Sequence, residues 1–217
     1  MRGSRLQRFH KALSSTGMVA ILRGLPVADA VPVGEMLYEE GFRLIEVPLN
    51  SPDPYHSIAD LVRHLPGDAM VGAGTVLSSQ QVRQVADAGG QLQVMPHADV
   101  AVIQAGVAAG LVVLPGVATP TEAFAALAAG AAGLKLFPAE LLQPPILKAW
   151  RAVLPADVPL LPVGGIVPAS LPPYRAAGAA GFGLGGALYR PGDAVDTVRA
   201  RARAFVQAWG TVDGDPG

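Results

Sequence analysis

A chain of 217 residues in which 51% are hydrophobic and only 15% charged can bury a full core, so one domain spanning residues 1–217 is expected. Sixteen basic against seventeen acidic side chains leave a net charge of -1, with no basic stripe and no interleaved aromatics, which excludes the electrostatic footprint of a nucleic-acid binder. The lack of any cysteine excludes disulfides, thiolate metal sites and a Cys nucleophile.

Residues 1–15 are basic but carry no apolar core of signal-peptide length, and no apolar run reaches membrane-spanning length. A cytoplasmic protein without a membrane partner is expected, and the apolar surplus leaves room for contacts between subunits.

In chain order, residues 6–13 form a leading helix, placed within an N-terminal cap over residues 1–16. Short apolar runs of strand length then recur at 18–22, 44–48, 70–74, 92–95, 111–114, 133–137, 160–163 and 181–185. Helical patterns separate them at 27–40, 55–65, 79–88, 100–109, 121–129, 145–153, 169–177 and 195–209. Eight alternating units predict an α/β fold closed as a single (β/α)8 TIM barrel with an extra N-terminal helix capping its bottom. Residues 210–217 read as a flexible tail. Helices end at Gly41, Gly89, Gly110, Gly130 and Gly178, where glycine suits the left-handed position after a helix. Prolines 48, 96, 115 and 138 stand near the C-terminal ends of strands, where the ladder gives way to the loops that build barrel active sites.

The chemistry centres on Gly133-Leu134-Lys135-Leu136-Phe137-Pro138. The chain has three lysines, Lys11, Lys135 and Lys148, against thirteen arginines, so a lysine inside an apolar strand suggests work that arginine cannot do. A desolvated lysine loses its proton and attacks a carbonyl, whereas arginine stays charged. Glu46 stands just before the proline that ends its own strand, and equal inward phase would bring this carboxylate to the Lys135 amine. A plain buried ion pair explains the same two residues.

Arg23 and Thr75 follow the first and third strands directly and offer a planar fork and a hydroxyl to a substrate carboxylate. Each also has a structural explanation, Arg23 as the neutraliser of Glu46 and Thr75 as a helix N-cap. Gly164 and Gly165 follow the seventh strand, and Gly183, Gly185 and Gly186 mark the eighth. Bare N–H groups there, with a short extra helix expected at 187–190, suit a phosphate, and tight turns in a glycine-rich chain are the alternative. Gly72-Ala73-Gly74 lacks the third glycine of a dinucleotide fingerprint. His10, His56, His64 and His97 show no metal-ligand spacing, so no metal site is expected.

Six segments together resemble a known family: Ala20-Ile21-Leu22-Arg23-Gly24, Glu46-Val47-Pro48-Leu49-Asn50-Ser51-Pro52, Gly72-Ala73-Gly74-Thr75-Val76, Pro115-Gly116-Val117-Ala118-Thr119, Leu134-Lys135-Leu136-Phe137-Pro138 and Val163-Gly164-Gly165. They look like the short class I aldolases that act on 2-keto-3-deoxy-6-phospho sugar acids, and the resemblance runs over about residues 17–207. Val47 to Ser51, Val163 and Leu188-Tyr189 resemble the 6-phosphogalactonate branch more than the 6-phosphogluconate one.

The resemblance implies a Schiff base on Lys135, acid and base work by Glu46, carboxylate binding by Arg23 and Thr75, and phosphate binding by Gly164, Gly165, Gly185 and Gly186. It also implies a homotrimer, a phosphorylated keto acid as substrate, and no metal or organic cofactor. Three positions depart from the family: Gly186 replaces its usual serine, Met95 replaces a Thr or Ser, and the loop 139–144 lacks its glycine. A phosphosugar isomerase or synthase, with Lys135 kept charged, and a non-catalytic phosphometabolite-binding barrel remain alternative readings.

Overall fold

The computed structural model describes residues 2–210. Helix α1 (Arg2–Thr16) is longer than the 6–13 core read from the sequence. It is followed by β1 (Met18–Ile21), α2 (Val27–Glu39), β2 (Leu44–Pro48), α3 (Pro54–His64), β3 (Met70–Gly74), α4 (Ser79–Asp87), β4 (Leu92–Val94) and α5 (Val100–Ala108). Then come β5 (Val112–Leu114), β6 (Gly116–Val117), α6 (Pro120–Ala128), β7 (Leu134–Leu136), α7 (Pro144–Arg151), β8 (Leu160–Pro162), a 3-10 turn at Pro168–Ser170, α8 (Leu171–Ala176), β9 (Phe182–Leu184) and α9 (Val195–Gly210). The tail expected at 210–217 falls outside the described residues, apart from Gly210, which closes α9.

Every strand is buried along its length, as parallel strands covered on both faces must be. Six of them pair in the order β5-β4-β3-β2-β1-β9 and three in the order β6-β7-β8. The two sheets meet at both ends: Val163, just past β8, bridges to Gly183 of β9, and the chain runs through Pro115 from β5 into β6. This is an α/β fold with a curled parallel sheet, the coarser form of the barrel expected above. One strand more is present than the eight units predicted, because Pro115 has no N–H and splits one segment into β5, which pairs with β4, and β6, which pairs with β7. The expected helix at 187–190 is a single turn instead, in which the Leu188 and Tyr189 N–H groups both donate to the Gly185 carbonyl at 2.8 and 3.0 Å.

Alternation along the strands divides the core in two. Ala20, Ile45 and Val71 face the helices, whereas Val19, Leu44, Met70, Leu92, Val112 and Leu161 face inward, where Phe9 and Leu13 of α1 pack on them. Arg5 and Arg8 fix this helix by donating to the Gly110 carbonyl at 3.1 Å and the Gly67 carbonyl at 2.6 Å. The glycines expected after helices, Gly41, Gly89, Gly110, Gly130 and Gly178, all have positive φ. Helix starts follow side-chain logic too: Thr119 and Glu122 form a reciprocal capping box at α6, and Ser78 and Asp99 cap α4 and α5. Ser78 therefore takes the cap that Thr75 was a candidate for.

Candidate active site

The end of the sheet opposite α1 opens into a cavity of about 530 Å³ lined by Arg23, Thr75, Lys135, Gly164, Gly165, Gly185 and Gly186, among others. Seven of the eight residues singled out from the sequence thus line one cavity. The eighth, Glu46, lies beneath: with Lys135, Ile21, Val94 and Leu114 it surrounds a small void directly under the cavity floor. Lys135 belongs to both spaces and joins them.

Position explains this grouping. Leu44 faces inward, so Glu46, two residues on, does as well, and it pairs in register with Ile21 of β1 and Gly72 of β3. Gly74 at the end of β3 leaves the space that the carboxylate fills, since a Cβ there would run into the Glu46 carboxyl oxygens. Lys135 sits in the middle of the three-residue β7, in register with Gly116 and Leu161, and its ammonium lies 4.7 Å from the centre of the Phe137 ring.

Both charged groups are nearly out of water, with Lys135 7% and Glu46 2% exposed. They do not form an ion pair with each other, and Glu46 Oε2 is buried without any hydrogen-bond partner among the described residues. Burial pushes the Glu46 carboxyl up to about 7, against the opposing pull of Lys135 and Arg23. Burial also pushes the Lys135 ammonium down; nearby Arg23 adds to this and Glu46 resists it. The two groups are thereby moved toward the pH at which each can both give and take a proton.

Arg23 does not neutralise Glu46 by contact; its Nη1 donates to Asn50 Oδ1 at 2.6 Å, which turns the guanidinium along the cavity rim. Thr75 has φ 57, a left-handed conformation costly for a β-branched residue and retained where surrounding structure demands it. On the opposite side, Gly164 and Gly165 have φ 109 and 63, successive values that glycine accepts readily, and the Glu140 carboxylate lies against this turn. An added Cβ at Gly185 or Gly186 would meet nothing within 4 Å, so open space replaces a side chain there. The N–H groups of Gly165, Gly186 and Ala187 find no acceptor among the described residues.

Sequence reasoning missed Phe137 as the surface under the Lys135 amine, Asn50 as the anchor of Arg23, and both Tyr189 and Arg190 in the cavity wall. The position of Arg190, directly after Leu188-Tyr189 in a Gly and Pro loop, was the available signal. Among the described residues no cluster of three or more His, Cys, Asp or Glu could hold a metal ion, and no helix is long and apolar enough to cross a membrane.

Comparison with known proteins identifies the family of the chain. Residues 10–200 match the family described as "Aldolase: KDPG and KHG aldolase". A relative from Rhizobium meliloti (strain 1021), named probable 2-dehydro-3-deoxy-6-phosphogalactonate aldolase, is 49% identical over 197 residues, covering 91% of this chain and 93% of its own. The solved structure described as native KDPGal superposes with a TM-score of 0.89 at 43% identity, covering 90% of this chain and 95% of that one. A Legionella pneumophila KDPG aldolase solved with pyruvate captured as a covalent carbinolamine superposes with a TM-score of 0.76 at 25% identity, covering 94% and 97%. With a family match over most of its length and a relative sharing nearly half its residues, the chain belongs to the KDPG and KHG aldolase family.

Proposed function

We propose that this chain is a lysine Schiff-base aldolase that reversibly cleaves 2-dehydro-3-deoxy-6-phosphogalactonate to pyruvate and D-glyceraldehyde 3-phosphate. The observation that supports this most is the pairing of Lys135 and Glu46: two buried, inward-facing groups that share a void yet form no ion pair, each displaced by burial toward neutrality. A residue pair serving stability alone would gain most from direct contact.

In this reading the neutral Lys135 amine attacks C2 of the keto acid to give a carbinolamine, and loss of water leaves an iminium. The C4 hydroxyl proton passes to the Glu46 carboxylate as the C3–C4 bond breaks, its electrons flowing into the iminium to form an enamine. Glyceraldehyde 3-phosphate leaves, the Glu46 carboxylic acid returns a proton to C3, and hydrolysis of the pyruvate iminium restores the amine. A carboxyl held at about 7 suits both halves of that proton exchange. Arg23 and Thr75 bind the substrate carboxylate at the rim above Lys135, and Gly164, Gly165, Gly185 and Gly186 bind the phosphate.

The scaffold proposed for this chemistry is one domain in which the curled sheet closes as a (β/α)8 barrel. The Val163 to Gly183 bridge and the Lys135 N–H bond to the Pro115 carbonyl at 2.9 Å support closure at the two joints between sheets. Exposed apolar side chains, Leu141 at 72% and Val153 at 58% among them, offer surface for the subunit contacts of the proposed homotrimer.

The test is intact mass after incubation with pyruvate and borohydride. One reduced adduct mapping to Lys135, lost together with turnover in Lys135→Arg, is expected. An unmodified protein, or an adduct confined to Lys11 or Lys148, would return Lys135 to the role of a charged anion stabiliser in an isomerase.

A further inference from the structure

The phosphate end of the cavity has an electrostatic deficit. The Gly164-Gly165 turn offers N–H dipoles, but the Glu140 carboxylate lies against that same turn and repels a dianion. Loop 139–142 is held in place by the Tyr174 hydroxyl, which donates to the Ala139 and Leu142 carbonyls at 2.8 and 3.2 Å, and Gln143 Nε2 donates to the Glu140 carbonyl at 2.9 Å. In the loop after the neighbouring strand β9, Gly186 has no side chain to donate a hydroxyl. Three N–H groups of the loop after β9 are used internally: those of Leu188 and Tyr189 bond Gly185, and that of Arg190 bonds Asp193 Oδ2 at 2.9 Å.

Two guanidinium groups line the cavity, and their surroundings separate them. Arg23 lies close enough to Glu46 and Lys135 to act on the charge of both, which assigns it to the reacting end. Arg190 acts on neither. Its Nε donates to the Gly186 carbonyl at 3.0 Å, which folds the side chain back over the bend formed by Gly186. Its Nη1 and Nη2 bond nothing among the described residues. Its backbone is braced separately, because the Asp193 that accepts the Arg190 N–H is itself held by Arg201 of α9, with Nη1 to Oδ2 at 2.6 Å. A fork with a fixed base, an anchored Nε and two unpartnered donors beside free backbone N–H groups is a preorganised phosphate ligand.

We infer that Arg190 is the cation that binds the substrate phosphate, clamping it against the Gly186 bend and offsetting Glu140. The inference rests on the aldolase reading and deepens it by naming a specificity-determining residue for the phosphorylated substrate. Asp193 and Glu140 are the acidic groups facing this end, and neither forms an ion pair with Arg190.

The experiment compares wild type, Arg190→Gln and Arg190→Lys on the phosphorylated acid and on its unphosphorylated counterpart, with inorganic phosphate as a competitive inhibitor. Loss of a charge-assisted contact should reduce the preference for the phosphorylated acid, expressed as the ratio of kcat/KM values, by roughly tenfold to a hundredfold in Arg190→Gln. The inhibition constant of phosphate should rise by a similar factor, and Arg190→Lys should recover part of both effects. The pyruvate adduct on Lys135 should still form in each variant, since pyruvate carries no phosphate. If wild type prefers the phosphorylated acid and Arg190→Gln leaves both ratio and phosphate inhibition unchanged, the Arg190 assignment is wrong while the aldolase reading stands. If wild type itself shows no preference and no inhibition by phosphate, the phosphate site is wrong as a whole. Failure of the Lys135 adduct to form in wild type overturns the aldolase reading instead.

Discussion

The two ends of the curled sheet treat polar groups in opposite ways. At the α1 end, Phe9 and Leu13 close the interior, and Arg5 and Arg8 each spend a guanidinium donor on a loop carbonyl, with Arg8 also bonding Gln91 Oε1 at 2.8 Å. At the other end, among the described residues, Glu46 Oε2 is buried without a partner, Lys135 is buried without an ion pair, and the N–H groups of Gly165 and Gly186 bond nothing. The base thus leaves one buried hydroxyl, Thr16 Oγ1, unpartnered, whereas the mouth leaves a carboxylate, an ammonium and backbone donors unpaired beside an open cavity. A buried polar atom without a partner costs about 1–3 kcal/mol, and Glu46, unlike Ser57 or Gln93, adjoins an open cavity from which a substrate group can supply the partner.

The contrast predicts that lesions at the base lower stability and spare chemistry. Phe9 is fully buried, and Phe9→Ala should cost about 3–5 kcal/mol, partly as lost transfer energy and partly as the cavity left behind. Denaturant unfolding should show this as a lower midpoint, while kcat measured well below the melting temperature stays within about twofold, the scale of an undisturbed barrier. A kcat that falls in step with stability would mean that the two ends are coupled and that the comparison is false.

Lesions at the mouth should do the reverse. Glu46→Gln should reduce turnover by roughly a hundredfold or more, the usual scale for a general acid and base, yet still trap pyruvate. Its stability should carry a pH signature. The Glu46 carboxyl is raised in the folded state from 4.5 to about 7, so between these values the folded protein binds more protons than the unfolded chain. Wild type thus loses stability as pH rises through that window, by on the order of 3 kcal/mol, and the loss is complete above about 7. Glu46→Gln lacks this slope, so the melting temperature of the variant should gain on wild type from pH 5 to pH 8. For the same reason, wild-type cleavage should fall below pH 7 as the base becomes protonated. Parallel melting curves across that range would assign Glu46 to an ordinary structural role.

How much of this was legible in the sequence follows the same division. Apolar runs bounded by glycine and proline mark the strands, because a parallel sheet covered on both faces has to be apolar throughout. Lys135 and Glu46 stand out as charges inside such runs, and inward phase at both positions follows from side-chain alternation. Pro115 was read as the end of one strand, but it divides two, since removing a single N–H cuts the ladder without turning the chain away. Residues 187–190 suggest a short helix, yet only the Leu188 and Tyr189 N–H groups bond in helical fashion, both to the Gly185 carbonyl, so a single turn results. Arg190 is marked in the sequence only by its place after Leu188-Tyr189 and Glu140 by nothing, because their importance comes from what they lie against, Gly186 and the Gly164-Gly165 turn. Those are long-range or folded-back contacts that leave no periodic mark.

The smallest expected effect concerns the position where the mouth departs from the family pattern. A Cβ at Gly186 would meet nothing within 4 Å, and the residue does not have positive φ, so serine fits without backbone strain. Its hydroxyl would add one charge-assisted donor beside the free N–H groups of Gly186 and Ala187. Where ordered water already fills that place the net gain is modest, so Gly186→Ser should lower KM for the phosphorylated acid by about tenfold or less. Melting temperature and kcat should hardly change, because the contact is remote from C3–C4 and the site is already open. Steady-state kinetics on the phosphorylated and unphosphorylated acids settles the matter: a gain confined to the phosphorylated acid places the phosphate over Gly186. Equal gains on both acids, or a loss on either, would mean that the added side chain reaches another part of the substrate and that the phosphate lies elsewhere in the cavity.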